Sequence, residues 1–130
     1  MDLLLHLSDL SNEPLHGQIS RQIRAQILAQ ELADDEPLPS IRGLAREQRV
    51  SVITVQRAYE DLEREGLIRS RPDKGFFVSE IPEKRKQDMA EQRLEVALAR
   101  LVAEGEAEGL EHAQIRRVFE RVVRTKGGPQ

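Results

Sequence analysis

The 130-residue chain contains no cysteine, so neither a disulfide framework nor thiol chemistry is open to it, which suits a reducing compartment. Histidine is scarce. His6, His16 and His112 lie far apart and lack a recurring acidic partner, so no metal site is expected. No stretch approaches the roughly 20 apolar residues of a membrane span. The apolar run Leu3 to Leu5 has no basic leader before it, so a secretory signal is not expected and a cytoplasmic location is. The sequence also lacks a glycine-rich phosphate loop, a nucleophile with a histidine base, and a carboxylate pair in an apolar setting, which argues against an enzyme. Glu63 and Glu65 are close in sequence, but two apart on a helix they face different directions and read as a solvated face and a cap support.

An excess of basic charge is missing too, since 20 Lys and Arg stand against 23 Asp and Glu for a net charge of −3. Distribution matters more than the sum. Residues 1–80 carry −4, yet residues 40–59 hold Arg42, Arg46, Arg49 and Arg57 against Glu47 alone, or +3, and Arg69, Arg71 and Lys74 against Asp73 add +2. The acids collect at Asp34 to Glu36 and at Glu60 to Glu65. A basic face on an acidic body predicts modest non-specific affinity for a polyanion, with a clear salt dependence.

Residues 38–78, LPSIRGLAREQRVSVITVQRAYEDLEREGLIRSRPDKGFFV, carry the most information. Ser40 is an N-cap type residue, and Ile41, Leu44 and Ala45 after it share a helical face, which leaves Ser40 and Arg42 at the exposed amino end. Unpaired N–H groups and the positive end of the helix dipole suit a phosphate oxygen there. After a three-residue turn Ser51 is the next cap, opening a helix whose Val55, Ala58, Tyr59 and Leu62 repeat at i, i+3, i+4 and i+7. The opposite face shows Val52, Ile53, Gln56 and Arg57, where the β-branched pair could meet thymine methyls or pack inside. Gly66 fits a left-handed helix stop, LIRSR an edge strand, Pro72 to Gly75 a turn, and Phe76 to Ser79 the return strand. Lys74 and Gly75 at the tip would let backbone and a cation approach a phosphate or a minor groove. Two short helices followed by a hairpin is the order of a winged helix-turn-helix, a DNA reader.

The stretch from Pro14 to Val78 resembles the amino-terminal domain of the GntR family of bacterial transcription regulators, through PLHGQISRQIRAQI, LPSIRGLA, VSVITVQRAYEDLEREGLI and RPDKGFFV in order. The phrase SVITVQRAYEDLEREGLI is similar to the YtrA subfamily. The resemblance implies that Arg42 reaches a base or backbone group, that Ser51 and Thr54 bind phosphate, and that Lys74 with Gly75 forms the wing tip. Where many relatives carry recognition-helix arginines, this chain has Val52 and Gln56. An arginine paired with guanine gives about 1–3 kcal/mol of discrimination, so its absence predicts an A/T-leaning half-site, with Gln56 on adenine. The resemblance also implies a homodimeric repressor on a two-fold operator, often one controlling an ABC-transporter operon.

The remaining segments support that organisation. A first helix should run from about Pro14 to Gln30, packing through Ile19, Ile23, Ile27 and Leu28 with Arg21 and Arg24 off the face, after a short extended piece at Leu3 to His6. The acidic loop Asp34 to Pro39 should link it to the helix-turn-helix. Beyond Pro82, two amphipathic helices are expected, with stripes through Leu94, Leu98, Leu101 and Val102, and through Ile115, Phe119 and Val122. Neither stripe can be satisfied by the other alone, so a second copy should close a four-helix arrangement; folding back onto the head is the alternative. The expected fold is thus mostly α with a small β wing: residues 1–80 a winged helix-turn-helix head, 81–126 a two-helix dimerisation segment, 127–130 a frayed tail. About 48 residues after Pro82 are too few to enclose a small-molecule pocket, and nothing aminotransferase-like is present to hold pyridoxal phosphate, so no cofactor is expected. An effector, if one acts, would bind at the dimer interface or between helices and head. A winged-helix module docking Val52 and Ile53 into a protein groove is the other reading, and loss of Arg42 separates the two.

Overall fold

Ile19, Ile23 and Ile27 recur every fourth residue and are completely buried on helix α1 (Leu15–Leu28), as a computed structural model describing residues 3–127 shows. Gln18, Gln22 and Gln26 keep the same spacing on a neighbouring face, and each reaches the extended segment before the helix. Gln18 receives the Ser8 N–H and donates to the Ser8 carbonyl, both at 2.9 Å. Gln22 pairs both ways with the His6 backbone at 2.8 Å, and Gln26 donates to the Leu4 carbonyl at 2.8 Å. Four helical residues rise about 6.0 Å and two extended residues about 6.6 Å, so the two repeats stay in step and the segment's polar backbone is satisfied without a sheet. The anchored segment buries Leu3.

Two expectations for α1 change. The helix stops at Leu28, short of Gln30, whose φ of 63° takes the chain out of helical geometry. Arg24 is not off the packing face but 9% exposed, with Nε donating to Glu65 Oε1 at 2.8 Å and Nη2 to Oε2 at 2.7 Å. Glu65, though exposed, is committed to this ion pair. It holds the carboxyl end of α3 against α1 through a two-pronged pair whose planar geometry suits arginine.

Helix α2 (Ile41–Gln48) and helix α3 (Val52–Arg64) follow, and α3 packs against both α1 and α2. Val55, Ala58, Tyr59 and Leu62 are all at 0% exposure, in line with their spacing. Tyr59 joins three elements: its hydroxyl donates to the Pro39 carbonyl at 2.7 Å, and its ring meets Phe76 edge to face at 5.1 Å. Burial, with a smaller push from Glu47, raises its phenol above the ordinary tyrosine range. Gly66 at φ 80° ends α3 in the left-handed conformation that a side chain would oppose.

Strands β1 (Ile68–Arg71) and β2 (Gly75–Val78) pair antiparallel, Ile68 opposite Val78 and Arg71 opposite Gly75. Strict alternation fails at the start, because Leu67 and Ile68 are both buried. The acidic segment is more than a link. Asp35 N–H donates to Val78 at 2.8 Å, Leu38 N–H to Phe76 at 2.9 Å, and Val78 N–H returns to Glu36 at 2.9 Å, so Glu36 to Leu38 line the second edge of β2. Pro37 tolerates this place because its missing N–H is not called on.

Helix α4 (Glu83–Ala107) begins within the head. Lys86 is 3% exposed with Nζ 3.0 Å from Asp34 Oδ1, and Gln30 donates to Glu83 at 3.1 Å. The chain accordingly divides into two compact units after Gln87, seven residues later than the pattern change at Ile81 and Pro82 places the boundary. The second unit comprises the rest of α4 and helix α5 (His112–Gly127), joined at Gly109 with φ 93°. Helix α5 includes Gly127, which was expected to fray; residues 128–130 lie outside the described residues. Within the described part of this unit no side chain is buried, and Leu94 (58%), Leu101 (52%), Phe119 (43%) and Val122 (52%) stand open. Among the described residues no helix is long and apolar enough to cross a membrane.

Candidate nucleic-acid interface

Both helices of the turn open on a serine that caps them. Ser40 Oγ accepts the Gly43 N–H at 2.9 Å, and a β-carbon at Gly43 would come within 2.8 Å of that oxygen, so glycine makes room for the cap. Ser51 Oγ accepts the Thr54 N–H at 3.1 Å and lies 2.8 Å from Thr54 Oγ1, so these two hydroxyls engage each other in the free chain. Each cap satisfies one amide and leaves the remaining first-turn N–H groups facing outward. Arg42, on the first turn of α2, is exposed.

The outer face of α3 presents Val52 at 39% and Ile53 at 56% exposure, with Gln56 and Arg57 beside them. The packing alternative for the β-branched pair is excluded, since Val55 and Leu62 already fill the inner face. Gln56 is not idle: its amide donates to Glu60 at 3.2 Å, one turn along. To read a base it must release Glu60, a carboxylate that closes the carboxyl side of this face to other anions.

The wing divides its cations into free and held. Arg69 and Arg71 both reach Asp35, Arg69 through a close ion pair and Arg71 at 3.3 Å, and Arg71 also lies 4.4 Å over the Phe77 ring. Glu80 joins the cluster. Its hydrogen bond with Asp35 is the main cause that lowers the Asp35 carboxyl, with Arg69 and Arg71 adding to it, and the same bond raises that of Glu80. The +2 counted for the hairpin is thus largely neutralised by a loop distant in sequence. Lys74 stays exposed at the tip beside Gly75.

Among the described residues, Arg42, Arg46, Arg49, Arg57 and Lys74 have no ion-pair partner. Arg46 and Arg49 are additions to the residues expected from sequence. Arg49 sits at φ 58° in the turn between the two capped helices, and the signal for it was the local charge count. No group of three or more His, Cys, Asp or Glu among the described residues could hold a metal ion.

Residues 15–78 match the family described as bacterial regulatory proteins, gntR family. The HTH-type transcriptional repressor YtrA of Bacillus subtilis is 32% identical over 77 residues, which are 59% of this chain and 59% of that protein. A solved structure of YtrA from Sulfolobus acidocaldarius, a GntR-family transcription factor, is 32% identical with a TM-score of 0.59, over 73% of this chain and 97% of that one. The AraR DNA-binding domain in complex with operator ORX1 is 28% identical with a TM-score of 0.51, over 58% of this chain and 93% of that one. The chain spans 58% and 17% of the lengths of two further curated relatives, both HTH-type regulators.

Proposed function

Because the chain belongs to the GntR family of DNA-binding transcription regulators, in its YtrA-like group, we propose that it is a homodimeric, sequence-specific repressor. One observation carries the DNA reading. Val52, Ile53, Gln56 and Arg57 stay open on α3 behind its Ser51 cap while the inner-face Val55, Ala58, Tyr59 and Leu62 are buried, and Arg57 joins Arg42, Arg46, Arg49 and Lys74 as a cation without an ion-pair partner among the described residues. In this reading Ser40, Arg42, Ser51, Thr54, Lys74 and Gly75 hold phosphates and Arg46 and Arg49 add charge, while Val52, Ile53, Gln56 and Arg57 read the groove. With no arginine at the positions of Val52 and Gln56, the half-site should lean to A/T, and a selected consensus rich in G/C at its centre would rule that out.

The second unit supports the dimer. A pair of helices with no buried side chain is not stable alone in water, and a second copy supplies the missing core while giving the assembly the two heads that a two-fold operator calls for. That the Bacillus subtilis relative YtrA is a transcriptional repressor supports repression. Control of an ABC-transporter operon follows from the YtrA resemblance, and transporter transcripts that stay flat on deletion of the gene would exclude it. The test of binding is an anisotropy titration against DNA upstream of its own gene, with scrambled competitor, for wild type and Arg42→Ala. Competitor-resistant binding lost in the variant is expected. A protein that prefers no sequence in a genome-wide footprint would return Val52 and Ile53 to a protein groove.

A further inference from the structure

The acids that close α3 have different employments, and one of them has no part in the fold. Between residues 60 and 65, Asp61 holds Arg64 at 2.9 Å, Glu63 accepts the Ser70 hydroxyl at 3.2 Å, and Glu65 clamps Arg24. Glu60 is exposed and has no ion-pair partner among the described residues, although Arg57 and Arg64 lie one turn to either side of it. Its carboxylate accepts the Gln56 amide. Seven residues complete two helical turns to within about 20°, so Glu60 stands in line with Ile53 on the outer face of α3, one turn beyond Gln56. The carboxylate therefore belongs to the surface that meets DNA, where phosphates repel it.

We infer that Glu60 is a specificity-determining residue, which accepts a base amino group in the major groove once Gln56 has turned from it to adenine. The inference rests on the sequence-specific DNA binding proposed above and adds one base position to it. When Gln56 leaves, the carboxylate loses its donor at a surface that is being stripped of water, and an acceptor left unpaired there costs affinity. On the major-groove floor the donors are adenine N6 and cytosine N4, whereas thymine O4, guanine O6 and the purine N7 atoms are acceptors that repel a carboxylate. Each base pair carries one such amino group, so Glu60 dictates the strand on which it lies. Four helical residues rise about 6.0 Å and stacked base pairs about 3.4 Å, which sets this position one or two pairs from the adenine under Gln56. The bond between the two side chains ties their readings together: a site lacking either base leaves Gln56 on Glu60 or the carboxylate bare.

Selection from a randomised duplex library tests this in the full chain, with wild type, Gln56→Ala, Glu60→Ala and Glu60→Gln. Both positions are exposed within α3, and circular dichroism checks that the variants fold. The base whose preference Gln56→Ala abolishes marks the reference adenine. One or two pairs from it, wild type should favour adenine or cytosine on one strand by at least about fivefold over guanine or thymine. Glu60→Ala should level that position and leave the others, and Glu60→Gln, which can donate as well as accept, should readmit guanine and thymine there. Both should also bind scrambled duplex more tightly, since a charge that repels phosphate is gone. Tighter binding with base preferences unchanged at every position overturns the inference and leaves Glu60 a repelling charge alone. A wild type that enriches no sequence overturns the specific binding itself, and the inference with it.

Discussion

Replacing Asp35 by asparagine together with Glu80 by glutamine should make DNA binding tighter and more sensitive to salt. Asp35 holds Arg69 and Arg71, and Glu80 lies close enough to Arg69 to take its place, so both carboxylates must go. The backbone tolerates the change, because asparagine accepts the φ of 64° found at Asp35 and its N–H bond to Val78 is untouched. Residues 40–78 of each head offer five unpaired cations, so the wild-type slope of log K against log salt should approach about −4.5 per head if these find phosphates, at roughly −0.9 per contact. The variant adds between one and two contacts, since Arg71 keeps its place over Phe77. The slope should therefore steepen by about 0.9 to 1.8 per head, with roughly tenfold tighter non-specific binding per contact near 0.1 M salt. Anisotropy titrations on scrambled duplex at four salt concentrations measure this. An unchanged slope would refute the claim that the acidic segment masks cations on the DNA side of the wing.

Four further substitutions concern the scaffold, each read by denaturant unfolding. Ser51→Ala removes the side-chain cap at the start of α3 and should lower stability by about 1 kcal/mol, and an unaltered midpoint would mean that the Ser51 carbonyl, already 3.1 Å from the Thr54 N–H, satisfies that amide by itself. Glu65→Ala should cost about 3 kcal/mol by stranding an Arg24 side chain that is 11% exposed. Arg24→Ala should cost less, about 1.5 kcal/mol, because a Glu65 side chain at 33% exposure can be rehydrated, and the reverse order would contradict the burial argument. Tyr59→Phe keeps the edge-to-face contact with Phe76 but leaves the Pro39 carbonyl without its donor, for an expected loss of about 1 kcal/mol.

Local chemistry made much of this molecule legible in its sequence. Serine followed by apolar residues at helical spacing marks a capped amphipathic helix wherever it occurs, so Ser40, Ser51 and the buried quartet from Val55 to Leu62 could be read before any coordinates. The same spacing assigned Val52 and Ile53 to the outer face, and glycine at a helix end announced the stop at Gly66. Only the tertiary structure decided which charges remain free. Arg24 meets Glu65 across 41 residues, Arg69 meets Asp35 across 34, and Asp34 meets Lys86 across 52, and no periodicity encodes such pairings. The strand-like role of Glu36 to Leu38 was hidden for the same reason, because an edge pairing is defined by its distant partner. Composition and spacing determine which residues cap, bury or face water, since those depend on near neighbours along the chain. The long-range fold determines the electrostatic face, since a cation's availability depends on which acid the chain brings back beside it.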